Sequence, residues 1–134
     1  MNQQQQLWSN RVTLLAALFA GFGAAHLIDD FIYGVPTEVG LPNDLTQVLA
    51  LTFFVALTGL TALAARGSRQ SYLGFITIGT LLALAELLKH IPEIKAVSSY
   101  RSGFWSVAFV WGVFFTGVAV ALTAWRARQA ISEP

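Results

Sequence analysis

The sequence predicts an all-α integral membrane protein, an antiparallel bundle of four transmembrane helices with both termini in the cytoplasm. Three observations carry that expectation. The first is composition: of 134 residues, 55% are hydrophobic and only 11% charged, against about a quarter charged in soluble domains. Such a chain has too little polar surface to cover a water-soluble globule, and it reads as one membrane domain over residues 1–134. The second is the recurrence of four apolar segments, each about as long as the roughly 20 residues that cross hydrocarbon. The third is that charged residues are sorted by side once those segments are laid down.

Taken in order, residues 1–10 hold a glutamine run and Trp8, and read as a polar lead-in. The first span is placed at 10–31 and closes on His26-Leu-Ile-Asp-Asp30. Gly34, Pro36, Gly40 and Pro42 then break the chain. Asn43 or Asp44 is the expected cap of a second span, 45–65, which stops at Arg66-Gly67-Ser68-Arg69. The third span, 72–91, is expected to start from a Ser71 cap and to stop before Pro92, because proline disfavours helix at the preceding residue. A polar loop over 92–102 leads to the fourth, 104–125, with a tail from Ile131.

Four spans put Arg11, Arg66, Arg69, Arg126 and Arg128 on the side of the termini, against Glu133. The far side has Lys89, Lys95 and Arg101 against Asp29, Asp30, Glu38, Asp44, Glu86 and Glu93. The positive-inside rule therefore sets both termini in the cytoplasm. Trp8, Tyr72 and Trp125 are expected at that interface, and Tyr33, Tyr100 and Trp105 at the other. The expected location is a bacterial or archaeal plasma membrane, with multiple passes. Between spans, lipid offers no hydrophobic drive to associate, so small residues at helical spacing are the expected contacts. They occur as Ala17, Gly21 and Ala25, as Gly79 and Ala83, and as Gly117 and Ala121.

Several function classes are excluded at once. No cysteine is present, which removes disulfides, thiolate metal sites and cysteine nucleophiles. A net charge of +1 without a basic stripe gives no footprint for nucleic acid. Neither a phosphate loop, nor a nucleophile elbow, nor a dinucleotide fingerprint appears. Intramembrane threonines are expected to return their hydroxyls to their own helix, and Trp111, Phe114 and Phe115 to face lipid.

The chemistry is concentrated at the far ends of the first and third spans, which run in the same direction. His26, Asp29 and Asp30 share one side of the first, and Glu86 and His90, four apart, share a face of the third. Ionisable groups near hydrocarbon are costly and need compensation. Asp29 and Asp30, adjacent at a helix C-terminus, also oppose the helix dipole. The leading expectation is a polar network of Asp29, Asp44, Gln47 and Lys89 around the histidines, within a bundle acting as accessory subunit or scaffold. Its partners would be the lipid bilayer and a membrane protein or a second copy.

The alternative is a membrane enzyme or electron-transfer protein that uses His26 and His90 as ligands. His26, Asp30, Glu86 and His90 are then candidate ligands for a divalent metal, because imidazole with carboxylate suits zinc, iron or manganese. Bis-histidine haem is a further possibility for the same two histidines. The third reading is a small-solute or proton-coupled carrier in which Glu86, the deepest acid, changes protonation. Small four-helix multidrug exporters carry their essential glutamate in the first helix, whereas here that helix has no acid before Asp29. In length and span number the chain resembles several families of small four-span bacterial membrane proteins, such as the DoxX-like group. That resemblance implies the fold alone and assigns no residue a role.

Overall fold

The computed structural model describes residues 1–38, 40–96 and 100–132. Six helices are present among them: α1 (Gln3–Ile32), α2 (Val35–Glu38), α3 (Asn43–Ala65), α4 (Arg69–Ala85), α5 (Ile91–Ala96) and α6 (Phe104–Ser132). A π-helical turn, Glu86–His90, joins α4 to α5 without a break. Four of the resulting rods are long and apolar enough to cross a membrane.

The boundaries differ from the sequence expectation for identifiable reasons. The glutamine run is helical rather than a lead-in, because Asn2 and Gln5 form a reciprocal capping box at the start of α1. Pro42, not Asn43 or Asp44, occupies the cap position of α3, and Asp44 lies in its first turn, where an acid complements the dipole. Ser68 is the cap residue of α4, while the expected cap Ser71 is already helical and donates its hydroxyl to the Ser68 carbonyl (2.7 Å). Pro92 does not stop the third rod. The wider π turn, closed by a bond from the Ile91 amide to the Glu86 carbonyl, takes up the misfit that a proline imposes on the preceding turn. The helix also continues past Ile131 to Ser132, and the last two residues lie outside the described part.

Gly67 ends α3 at a φ of +77°, with its amide on the Ala64 carbonyl (2.9 Å) and the Ser68 amide on that of Leu63 (3.0 Å). This pair of bonds satisfies carbonyls that have no partner within the helix. Ser9 Oγ (2.5 Å) and Tyr72 Oη (3.4 Å) donate to the same Ala64 carbonyl. Tyr72 is wholly buried, with its hydroxyl turned into the bundle.

The rods alternate in direction. Ser9 near the start of α1 meets the end of α3, and Asp29 near its end meets Ser106 at the start of α6. α6 packs most extensively, on α1 and α4, while α3 touches α1 and α4 more lightly. Val12, Ala16, Phe19, Phe75, Val113 and Val120 form the main core. At the crossing of α4 and α6, Gly79 and Gly117 let the backbones meet: a Cβ on Gly79 would lie 2.6 Å from the Gly117 carbonyl oxygen. Ala83 and Ala121 flank that contact, both buried. The first small-residue stripe behaves otherwise: Ala17 and Gly21 are exposed, and a Cβ on Gly21 would have nothing within 4 Å. Phe19 and Ala16 carry the α1 contact instead.

Two further features position the site. Thr13, Thr46, Thr52, Thr58, Thr61 and Thr116 bond back to carbonyls in the preceding turn, as expected. And α3 buries only Leu57 and Ala64, both in its second half. Its first half stands away from the bundle beside His26 and Glu86. Large apolar side chains on every long helix, including Leu14, Leu51, Leu81 and Leu122, are exposed.

Candidate metal centre

The end of the bundle opposite the termini gathers ionisable groups that are seldom buried. His26, Asp29, Glu86 and His90 are 8%, 5%, 5% and 6% exposed. α1 delivers His26, and its last turn adds Asp29 and Asp30; the π turn delivers Glu86 and His90. π turns recur at functional sites because they re-aim side chains without ending the helix. His26, Glu86 and His90 each place a ligand atom within 4.8 Å of the others. His26 Nε2 lies 3.3 Å from Glu86 Oε1 and 3.8 Å from Asp30 Oδ2. The two imidazoles meet edge to face at 4.9 Å between centroids, which leaves no slot between them for a planar porphyrin.

The adjacent acids have their compensation in Arg101. Its guanidinium pairs with Asp30 and lies 3.8 Å from Asp29 Oδ2. Asp29 also accepts from Ser106 Oγ (2.6 Å) and Ser102 Oγ (3.2 Å). Arg101 has a φ of 44°, the left-handed region that non-glycine residues enter at a cost. Lys89, the expected cation, points outward and is exposed. Asp44 and Gln47 are likewise exposed, outside the cluster, whereas their neighbour Thr46 lines a cleft beside it.

His90 is held from behind. Its Nδ1 lies 2.9 Å from Tyr100 Oη and 3.1 Å from Glu93 Oε2. Burial pushes the Tyr100 phenol well above its ordinary value of 10, outweighing the opposing pull of Arg101. The phenol is thus a neutral donor or acceptor at physiological pH. Two buried atoms in the cluster have no hydrogen-bond partner among the described residues: His26 Nδ1 and Glu86 Oε2.

Of the candidate ligands, then, His26, Glu86 and His90 converge, and Asp30 stands beside them in the grip of Arg101. Glu93, Tyr100, Ser102 and Ser106 complete the site without having been singled out from sequence. A Glu-x-x-His reversal, His90-x-x-Glu93, was the one legible signal among them. Chemically the arrangement offers two neutral-capable nitrogens and one carboxylate, with a second carboxylate behind one histidine. That is a borderline donor set, suited to first-row divalent metals. No family model matches the chain, and no solved structure matches it at a significant level.

Proposed function

We propose that this chain is a multi-pass membrane protein that binds a divalent transition metal through His26, Glu86 and His90. The site lies at the non-cytoplasmic end of the bundle. One observation carries the metal reading: His26, Glu86 and His90, all buried, each place a ligand atom within 4.8 Å of the others. In support, His90 Nδ1 lies 3.1 Å from the Glu93 carboxylate. Metal-binding histidines are typically fixed in this way, through a hydrogen bond that sets the tautomer and ring plane. The 3.3 Å between His26 Nε2 and Glu86 Oε1 equals the edge of a tetrahedron with bonds of about 2.0–2.1 Å. His90 has Nε2 left for the metal. Asp30 belongs to the Arg101 pair and acts as a charged neighbour.

The membrane setting rests on the four long apolar helices, on their exposed leucines and on the five arginines gathered at the end that carries the termini. With three protein ligands, a tetrahedral metal keeps one open position, the pattern of reactive rather than purely structural sites.

The test is elemental analysis of the detergent-purified protein, before and after exposure to Zn(II), Mn(II) or Fe(II), followed by calorimetric titration. One metal per chain is expected, lost in His26→Ala and His90→Ala. Glu93→Gln is expected to keep the stoichiometry and weaken affinity by about 10–100-fold. A blank for all three metals would overturn the reading. The cluster would then be an ion-paired network in an accessory bundle, and the search would turn to protein partners.

A further inference from the structure

Four arginines, Arg11, Arg66, Arg69 and Arg126, are exposed at the end of the bundle that carries the termini. Ser9 Oγ and Tyr72 Oη both donate to the Ala64 carbonyl, which brings the start of α1, the end of α3 and the start of α4 to one level. Arg11, Arg66 and Arg69 each lie two or three residues from those bonds, and α6, packed along α1 and α4, adds Arg126 near its end. Among the described residues none of the four has an ion pair, in contrast to Arg101. The acids of the described residues all lie toward the opposite end.

We infer that this end of the bundle binds the headgroups of anionic phospholipids, in preference to zwitterionic ones, at these four arginines. The head follows from the guanidinium, whose planar fork matches two phosphate oxygens at once. Arg11 lies over the Trp8 ring and Arg126 over the Trp125 ring, each 4.9 Å from the centroid. Stacking engages the face of the guanidinium and leaves the N–H groups at its edge free for phosphate. Indoles settle at headgroup depth, so the stacked cations are held there too. The body follows from spacing: each arginine has an exposed leucine three or four residues inward, on the same helix face, in Leu14, Leu63, Leu73 and Leu122. Phosphate above and acyl chain below is the outline of a lipid, and a free phosphate ion would leave the leucines unused. A zwitterionic headgroup has the same phosphate but adds an ammonium, which the unpaired arginines repel; the preference is therefore for lipids of net negative charge. One arginine near such a headgroup is worth about fivefold in binding. The inference rests on the membrane reading above and is independent of the metal.

The experiment uses the full chain reconstituted in bilayers and reads tryptophan fluorescence quenched by acyl-brominated lipids, phosphatidylglycerol against phosphatidylcholine. Trp105→Phe/Trp111→Phe leaves Trp8 and Trp125 as reporters of the arginine end, and Trp8→Phe/Trp125→Phe leaves Trp105 and Trp111 as reporters of the other half. At the arginine end, association with phosphatidylglycerol is expected to be about fivefold stronger than with phosphatidylcholine, one arginine beside each tryptophan. In the other half the two lipids should quench equally. Arg11→Gln/Arg126→Gln is expected to remove the preference. Salt at about 1 M, where the screening length is about 3 Å, should weaken it with all four arginines in place, a measurement that stands should the double variant not fold. Equal quenching by both lipids at the arginine end, the same preference in both halves, or a preference that survives the salt would overturn the inference and leave the membrane reading intact. No quenching by either lipid would defeat the membrane reading, and the inference with it.

Discussion

Gly79 and Gly21 lie in comparable long helices, yet the structure assigns opposite signs to replacing them by alanine. At Gly79 the new methyl would meet the Gly117 carbonyl oxygen at 2.6 Å, Val120 Cγ1 at 3.0 Å and Ala121 Cβ at 3.3 Å. The first obstacle is backbone and cannot rotate away. To reach the 3.4 Å of ordinary contact, α4 and α6 must separate by about 0.8 Å at their crossing. Overpacking of this kind costs about 1–3 kcal/mol. At Gly21 nothing lies within 4 Å, so alanine adds only helix propensity, up to about 1 kcal/mol. Because that propensity gain is common to both sites, the difference between the two variants isolates the steric cost. Thermal or denaturant unfolding in one detergent should show Gly79→Ala less stable than Gly21→Ala by about 1–3 kcal/mol. Equal stability would refute the close crossing of α4 and α6.

Two further outcomes are expected. Arg101→Ala leaves Asp29 and Asp30, both largely buried, without their cation, and should destabilise by about 3–5 kcal/mol; adding Asp30→Asn should recover part of the loss, measured by unfolding of the single and double variants. Burial raises the Tyr100 phenol above its unfolded value of 10, so the folded state holds that proton more tightly. The resulting stability is fully present below pH 10 and declines as pH rises above it. Tyr100→Phe should flatten the decline on the alkaline side, read from midpoint temperatures at a series of pH values.

The fold was largely legible because hydrophobic length is a one-dimensional property. Four apolar runs survive any detail of packing, and Gly79 with Ala83 and Gly117 with Ala121 announce a helix contact by spacing alone. Polarity misled at the glutamine run, where the Asn2 to Gln5 spacing of a capping box outweighs a hydrophilic composition. Proline misled at position 92, because a π turn absorbs a misfit that an α turn would not. In the site, His26, Glu86 and His90 could be grouped from the parallel course of two helices. Arg101, Ser102 and Ser106 could not. Their distance from Asp29 and Asp30 is set by how the last connection folds back and by the rotation of α6, both tertiary properties. Lys89 illustrates the same point from the other side: one residue from His90 in sequence, it faces the opposite way.

The pairing of α1 with the far end of the chain has a consequence for biosynthesis. Asp30 and Arg101 are 71 residues apart, and Asp29 and Ser106 are 77. At roughly 5–20 residues per second, the first helix waits about 4–14 s after its acids are made before their cation leaves the ribosome. Its most extensive partner, α6, is also the last helix made. During that interval the nascent chain has two adjacent carboxylates at the end of its leading helix and no buried cation to meet them. The Asp29–Asp30–Arg101–Ser106 part of the polar cluster can close only after translation has passed residue 106, and the core contacts of Val113 and Val120 follow later still.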